Sequence, residues 1–388
     1  MPSKGVFAIS TEYRAGVLAA FGATAPEIEE LLAYNKNIFV HNPGRQPVNL
    51  PLPDEPFVDA WEGYVAAAVT QGAYEVLQQR LIQFKFPVRE GISRSDSYQA
   101  ATLRLGSAQD LPAATGLILA QPDSLELALH QTPAGRIPIL QTGHRADFVT
   151  LVQALTARNE PVPVPQSMGA SMVTGYNNWD RIFAYKQQWA TVNPGICSAE
   201  RWQQEFRRLI PHPELYRDRF IIVSDGPYSA VPARDLGLTE PAWRHASLVI
   251  RREHECVHYF TLRLFSAMRN NVLDELIADY MGIVAAAGHY KADWFLRFVG
   301  LESFPICRES GRLQNYRGNP PLSAGAFRIL QALVKCAAEN LEKFDCEYAA
   351  NICRQAGRTV MLVALTRLTL EELASRDAGF FLQQALAG

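Results

Sequence analysis

The stretch His254-Glu255-Cys256-Val257-His258 constrains this 388-residue chain more than any other. Around it, Leu248, Val249, Cys256, Val257, Phe260 and Leu264 recur at helical spacing, which predicts a helix over 246–265. Residues four apart on a helix share a face, with Cβ atoms roughly 5–6 Å apart. His254 and His258 can therefore aim ring nitrogens at one point. Glu255 flanks the first imidazole and points to one side of it. Two convergent imidazoles with an adjacent, non-ligating carboxylate form the H-E-x-x-H arrangement that binds zinc at about 2.0–2.1 Å from nitrogen. In it, Glu255 would serve as general base on a zinc-bound water. Cys256 lies about 200° around the helix from His254 and reads as core.

Two histidines leave zinc short of the three protein ligands usual in catalytic sites. After an Asn270-Asn271 turn, the stretch 271–282 predicts a second helix. On it Glu275 and Asp279 are again four apart and share a face. Glu275 supplies a third ligand. Asp279, one turn on, can accept a hydrogen bond from the far nitrogen of a ligand histidine, which holds the tautomer. Gly282, further along that face, allows the two helices to approach closely. Asp279 or Asp274 is the fallback third ligand.

These two segments resemble the zinc site of the gluzincin metallopeptidases, the thermolysin-like group. That group carries N-E-x-x-S-D-x-x-G on its second helix, and here the match is Asp274-Glu275-Leu276-Ile277-Ala278-Asp279-Tyr280-Met281-Gly282. The resemblance covers about 30 residues. It implies His254, His258 and Glu275 as zinc ligands, Glu255 as base, and Asp279 behind a ligand histidine. It also implies a strand along the cleft, for which Phe220–Ser224 is suitably located. Three departures stand out. Only 16 residues separate His258 from Glu275, so the first helix must end by about Phe265 rather than run on to Met268. Arg252 occupies a position that is usually uncharged; it can pair with Glu253 or another acid, or bind an acidic substrate. No residue clearly matches the group's oxyanion-stabilising histidine or tyrosine, with Tyr316, Arg317 and His289 as the candidates. The chain as a whole resembles an uncharacterised bacterial family, which carries no activity over.

Composition narrows the partners. The net charge is −2 and no lysine- or arginine-rich block occurs, which argues against nucleic acid or an anionic membrane. Six cysteines without a C-x-x-C pair argue against a disulfide framework and for a cytoplasmic protein. Cys346 and Cys353, seven apart, read as ordinary packing. The segment Met1–Val6 lacks the apolar core of a signal peptide, and no stretch reaches the roughly 18 apolar residues of a membrane helix.

The length predicts two domains. Residues 1–195 read as a mixed α/β domain of unknown role and 196–388 as a mostly helical, zincin-like catalytic domain, with the joint between Pro194-Gly195 and Pro211-His212-Pro213. The fold class expected is α+β. Helices are predicted from Ala25, near 57–69 and 73–82, with a Pro-rich loop from Asn42-Pro43-Gly44 to Pro53. Further on, the apolar runs 116–120 and 137–140 read as strands, 123–129 and 147–155 as helices, and 162–165 as extended. Together these suggest a small βαβ layer, with Pro138 and Pro163 favouring its edges. Residues 167–180 read as a small-residue connection that ends at a helix capped by Asn177 or Asn178. Residues 219–226 form the clearest strand signal, stopped by Asp225-Gly226.

The expected function is a zinc-dependent hydrolase acting on a peptide or other amide bond. Two alternatives stand beside it. One is a zinc enzyme acting on a small metabolite without peptidase chemistry; the other is a zinc-containing binding protein without catalysis.

Overall fold

The computed structural model describes residues 10–41, 48–105, 111–195, 198–268, 271–352 and 355–387. The readings at Met1–Val6, Asn42-Pro43-Gly44, Asn270 and Cys353 lie outside these residues. The protein is α+β, 60% helical with a four-stranded mixed sheet. It divides into two units, one of Met1–Leu50 with Pro227–Gly388 and one of Pro51–Gly226. A joint near 195 therefore falls inside the second unit. The reason is the sheet: strand 217–224 is one of its inner members, so the chain must pass 195 before that unit is complete.

In the second unit, β1 (Glu126–Thr132) and β2 (Gly135–Thr142) form an antiparallel hairpin. β3 (Ala170–Asn177) and β4 (Arg217–Ser224) complete the sheet in the order β1-β2-β4-β3, with β2 and β4 parallel. Helix Arg145–Thr156 follows β2 and packs Phe148, Leu151 and Val152 into the core beside Phe220 and Ile222 of β4.

Four local expectations change here. Residues 126–129 are strand, not helix. Leu125, Leu127 and Leu129 recur every second residue, and that period points all three at the same core. Residues 116–120 are a connection whose backbone bonds elsewhere: Gly116 N–H donates to Lys85 and Leu117 N–H to Phe84. The small-residue stretch after 167 contains β3, which buries Val173 and Tyr176 across a bulge. Pro138 lies in the inner strand β2. Pairing with β4 begins only at Ile139, so at Pro138 the strand is bordered by the β1 ladder alone. Asn178 caps helix Trp179–Val192, its side chain accepting from the Asp180 N–H.

In the first unit, helices Thr11–Ala20 and Ala25–Tyr34 meet the C-terminal helices around a buried acid, Glu371. Arg14 meets both oxygens of Glu371 at 3.2 Å, and Asn35 donates to the same carboxylate at 3.0 Å. Glu371 is fully buried, so the two-point guanidinium contact compensates a charge that would be costly alone. Helices Ala292–Val299, Ala324–Ile352, Gln355–Leu365, Leu370–Ala374 and Ala378–Ala387 belong to this unit, as do the two helices over 240–287. Among the described residues, Cys256, Cys307, Cys336 and Cys346 are free thiols. No described helix is long and apolar enough to cross a membrane.

Candidate metal centre

The first helix of the motif runs Glu240–Phe265. Thr239 caps it by accepting from the Ala242 N–H, and Pro241 occupies its first turn, where no donor is lost. It ends at Phe265 because Ser266 turns left-handed at φ 52°. That is the early stop needed for the next helix to fold back. The second helix runs Val272–Ala287, and the Asn271 side chain caps it by accepting from Asp274 N–H at 2.9 Å. The helices pack closely at Gly282. A Cβ there would lie 2.8 Å from the Ile250 carbonyl oxygen, so only glycine permits this approach.

Across that contact His254, His258 and Glu275 converge. All three are buried, and one ligand atom of each lies within 4.8 Å of the others, so the group can hold a metal ion. The two Nε2 atoms are 3.1 Å apart. The Glu275 carboxylate faces both, with Oε2 at 3.5 Å from His254 Nε2 and Oε1 at 3.6 Å from His258 Nε2. The outward nitrogens also meet carboxylates. His254 Nδ1 lies 2.8 Å from Asp279 Oδ1, and His258 Nδ1 lies 3.2 Å from Asp274 Oδ2. The second pair is within ion-pair range but not aligned as a hydrogen bond, which leaves Asp274 buried with no hydrogen-bond partner among the described side chains. Glu275 thus takes the inward position, and Asp274 and Asp279 stand behind one histidine each.

Three further residues build the site without a sequence pattern to announce them. The Tyr228 hydroxyl donates to Asp279 Oδ1 at 2.5 Å and lies 3.0 Å from His254 Nδ1. Arg312 donates to that hydroxyl at 2.6 Å, to Ser229 Oγ at 3.1 Å, to Asp279 Oδ2 at 2.7 Å and to Glu275 Oε2 at 3.1 Å. Ser229 and Ala230 both have positive φ, 52° and 57°, so the turn presenting Tyr228 is strained.

The electrostatics follow from these contacts. Burial pushes the Glu275 carboxyl up, but His254, His258 and Arg312 outweigh it and hold it well below the ordinary range. Burial likewise opposes ionisation of Asp279, and Arg312 with His254 holds it down. Burial works against a charged His258, yet Asp274 and Glu275 raise it well above the usual imidazole value. The Tyr228 phenol is driven well up by burial, against the pull of Arg312, and keeps its proton.

Glu255 is partly exposed next to His254 on the motif helix. Cys256 is core, 4% exposed. Arg252 pairs with Glu253 at 3.1 Å. Of the three oxyanion candidates, Tyr316 reaches the site. Burial raises its phenol, Arg312 lowers it and Glu275 raises it further. Arg317 instead holds Gln314 and stacks on Phe327, and His289 is exposed just beyond the second helix.

Fold and site together define an α+β protein with a buried His-His-Glu group able to hold a metal ion. The chain belongs to a family of unknown function (DUF7005), whose model matches residues 16–377. No curated protein and no solved structure matches it.

Proposed function

We propose that the protein is a zinc-dependent hydrolase of the gluzincin type, acting on a peptide or other amide bond. The observation that carries the metal is a charge deficit. Three buried carboxylates, Asp274, Glu275 and Asp279, contact one guanidinium, Arg312, and two imidazoles. With both imidazoles neutral, this set lacks two positive charges, which a divalent cation supplies. Without a cation a proton on His258 meets part of that deficit; burial opposes it, but Asp274 and Glu275 hold it there. A divalent cation replaces that proton and lets both imidazoles be neutral. Each Nδ1 faces a carboxylate and is best satisfied as a donor, so both Nε2 lone pairs point inward beside Glu275. Two nitrogens and one carboxylate oxygen suit zinc and leave a position open, as in catalytic rather than structural sites.

A zinc ion held by His254, His258 and Glu275 would polarise a carbonyl and acidify a water. The chain's own residues supply the remainder. The Glu255 carboxylate takes a proton from the attacking water and passes it to the leaving nitrogen. Tyr316, beside Glu275, is the best-placed donor for a developing oxyanion. The free thiols suit a reducing compartment, which supports a cytoplasmic setting.

The test is metal content and turnover together. Wild type should hold about one zinc per chain, and His258→Ala and Glu275→Ala should lose it. Glu255→Gln should keep zinc and lose hydrolysis of whichever substrate responds in paired panels of peptides and small amides. Full activity in Glu255→Gln refutes the base assignment, and a zinc-free wild type refutes the whole reading.

A further inference from the structure

We infer that Arg312 is a positioning residue that restricts Glu275 to a single oxygen toward the metal and so keeps a coordination position open. This rests on the metal reading above and extends it to a residue outside the motif. Arg312 is largely buried, its side chain 15% exposed, and it reaches two of the three carboxylates of the centre. Nη2 bridges Glu275 Oε2 and Asp279 Oδ2, while Nη1 takes the Tyr228 hydroxyl and Ser229 Oγ. Glu275 Oε2 is thereby engaged by a guanidinium, while Oε1 faces His258 Nε2 at 3.6 Å, on the side where a cation would sit. Without that engagement both oxygens could turn to the metal and fill the position a substrate needs.

The same contacts set His254. The Tyr228 hydroxyl has one proton. It accepts from Arg312, and its proton goes to Asp279, whose carboxylate can only accept. His254 Nδ1 then meets only acceptors, the Tyr228 oxygen and Asp279 Oδ1, so it donates, and in the neutral imidazole Nε2 is the nitrogen left for a cation. A lysine cannot repeat this, since one ammonium cannot span four acceptors as a planar fork does.

The aim of Arg312 is itself built in. It opens a short 3-10 turn, Arg312–Tyr316, directly after Gly311. Gly311 crosses Gly300 at the end of helix Ala292–Val299. A Cβ on Gly311 would lie 2.5 Å from the Val299 carbonyl oxygen, and one on Gly300 would lie 2.6 Å from the Gly311 Cα. The crossing locks the backbone next to Arg312 against the first unit's core.

The experiment uses the full chain, loaded with zinc or with cobalt(II) as a spectroscopic substitute. Arg312→Lys keeps the charge and removes the fork. Its zinc affinity, measured against a chromophoric chelator, should fall about 10–100-fold, the usual cost of losing a group that orients a metal ligand. Its cobalt d–d bands should weaken, because a second Glu275 oxygen raises the coordination number and lowers band intensity. A purely structural role would lower the melting temperature without that spectral change. Should Arg312→Lys not fold, Tyr228→Phe decides the matter. It removes one hydroxyl and should give a smaller affinity loss with weakening in the same direction. Wild-type affinity and an unchanged cobalt spectrum in the folded variant overturn the inference. A wild type that takes up neither metal overturns the metal reading, and this inference with it, so the two failures are told apart.

Discussion

His258 Nδ1 and Asp274 Oδ2 face each other at 3.2 Å, both buried, within ion-pair range, and neither has a hydrogen-bond partner among the described residues. A carboxylate so placed has one evident use, which is to hold the imidazole with Nε2 inward. Asp274→Ala should lower zinc affinity about 10–100-fold, as losses behind ligand histidines do. Asp274→Asn should lose less, because its amide oxygen still accepts. Chelator competition on the three proteins measures this, and equal affinities would remove Asp274 from the site.

Metal removal should cost stability. A cation that binds only the folded chain stabilises it by about 2.7 kcal/mol at a hundredfold excess over Kd. Stripping the protein with a chelator should therefore lower its melting temperature, and adding zinc back should restore it. Glu275→Ala should show neither response. A melting temperature indifferent to chelation would count against a bound ion.

Acid should empty the centre. Glu275 and Asp279 are both held below their ordinary carboxyl values in the folded protein, so the unfolded chain binds protons first as pH falls. Their contribution to stability is complete above the unfolded values near 4.5 and 3.8 and is lost as pH drops through the lowered folded ones. A bound cation pulls the same way. The carboxylates' share of stability should thus hold at pH 6 and fall below about pH 4, and metal content should fall earlier, because His258, which holds its proton tightly in the ion-free site, must shed it to bind. Retention of metal at pH 3 would contradict this.

Gly282→Val should be among the most damaging single changes remote from the ligands. Its Cβ would meet the Ile250 backbone oxygen at 2.8 Å, and backbone yields less readily than a side chain. Overpacking of this kind costs about 1–3 kcal/mol, here at the upper end, and it forces apart the helices that carry His254 and Glu275. Denaturant unfolding and zinc affinity should both register the change. A variant with wild-type values of both would mean that the helix pair can spread without consequence.

The H-E-x-x-H helix, the following helix and the close approach at Gly282 were legible from spacing, and the stop at Phe265 from the short separation between His258 and Glu275. Each depends on the helical repeat, on one small residue or on a short length of chain, and all are local properties. The sheet was less legible. Leu125, Leu127 and Leu129 carry a two-residue period that a helical reading of 123–129 overrode. β3 is rich in small residues and becomes a strand only because β4 lies beside it. The unit boundary was hidden for the same reason, since the place of residues 217–224 in the sheet is a matter of pairing across the chain.

What the sequence by itself determined is the pair His254 and His258 with Glu255 alongside, because residues at helical spacing share a face wherever the helix forms. That Glu275 rather than Asp274 or Asp279 faces the pair was decided by the packing of the second helix on the first. The tertiary structure alone also decided how that group is balanced. Tyr228 precedes His254 by 26 residues and Arg312 follows Asp279 by 33, both on short turns with no periodic signal. A buried charge must be neutralised by whatever the fold brings to it. That depends on packing, so the residues that neutralise the site cannot be read from spacing along the chain.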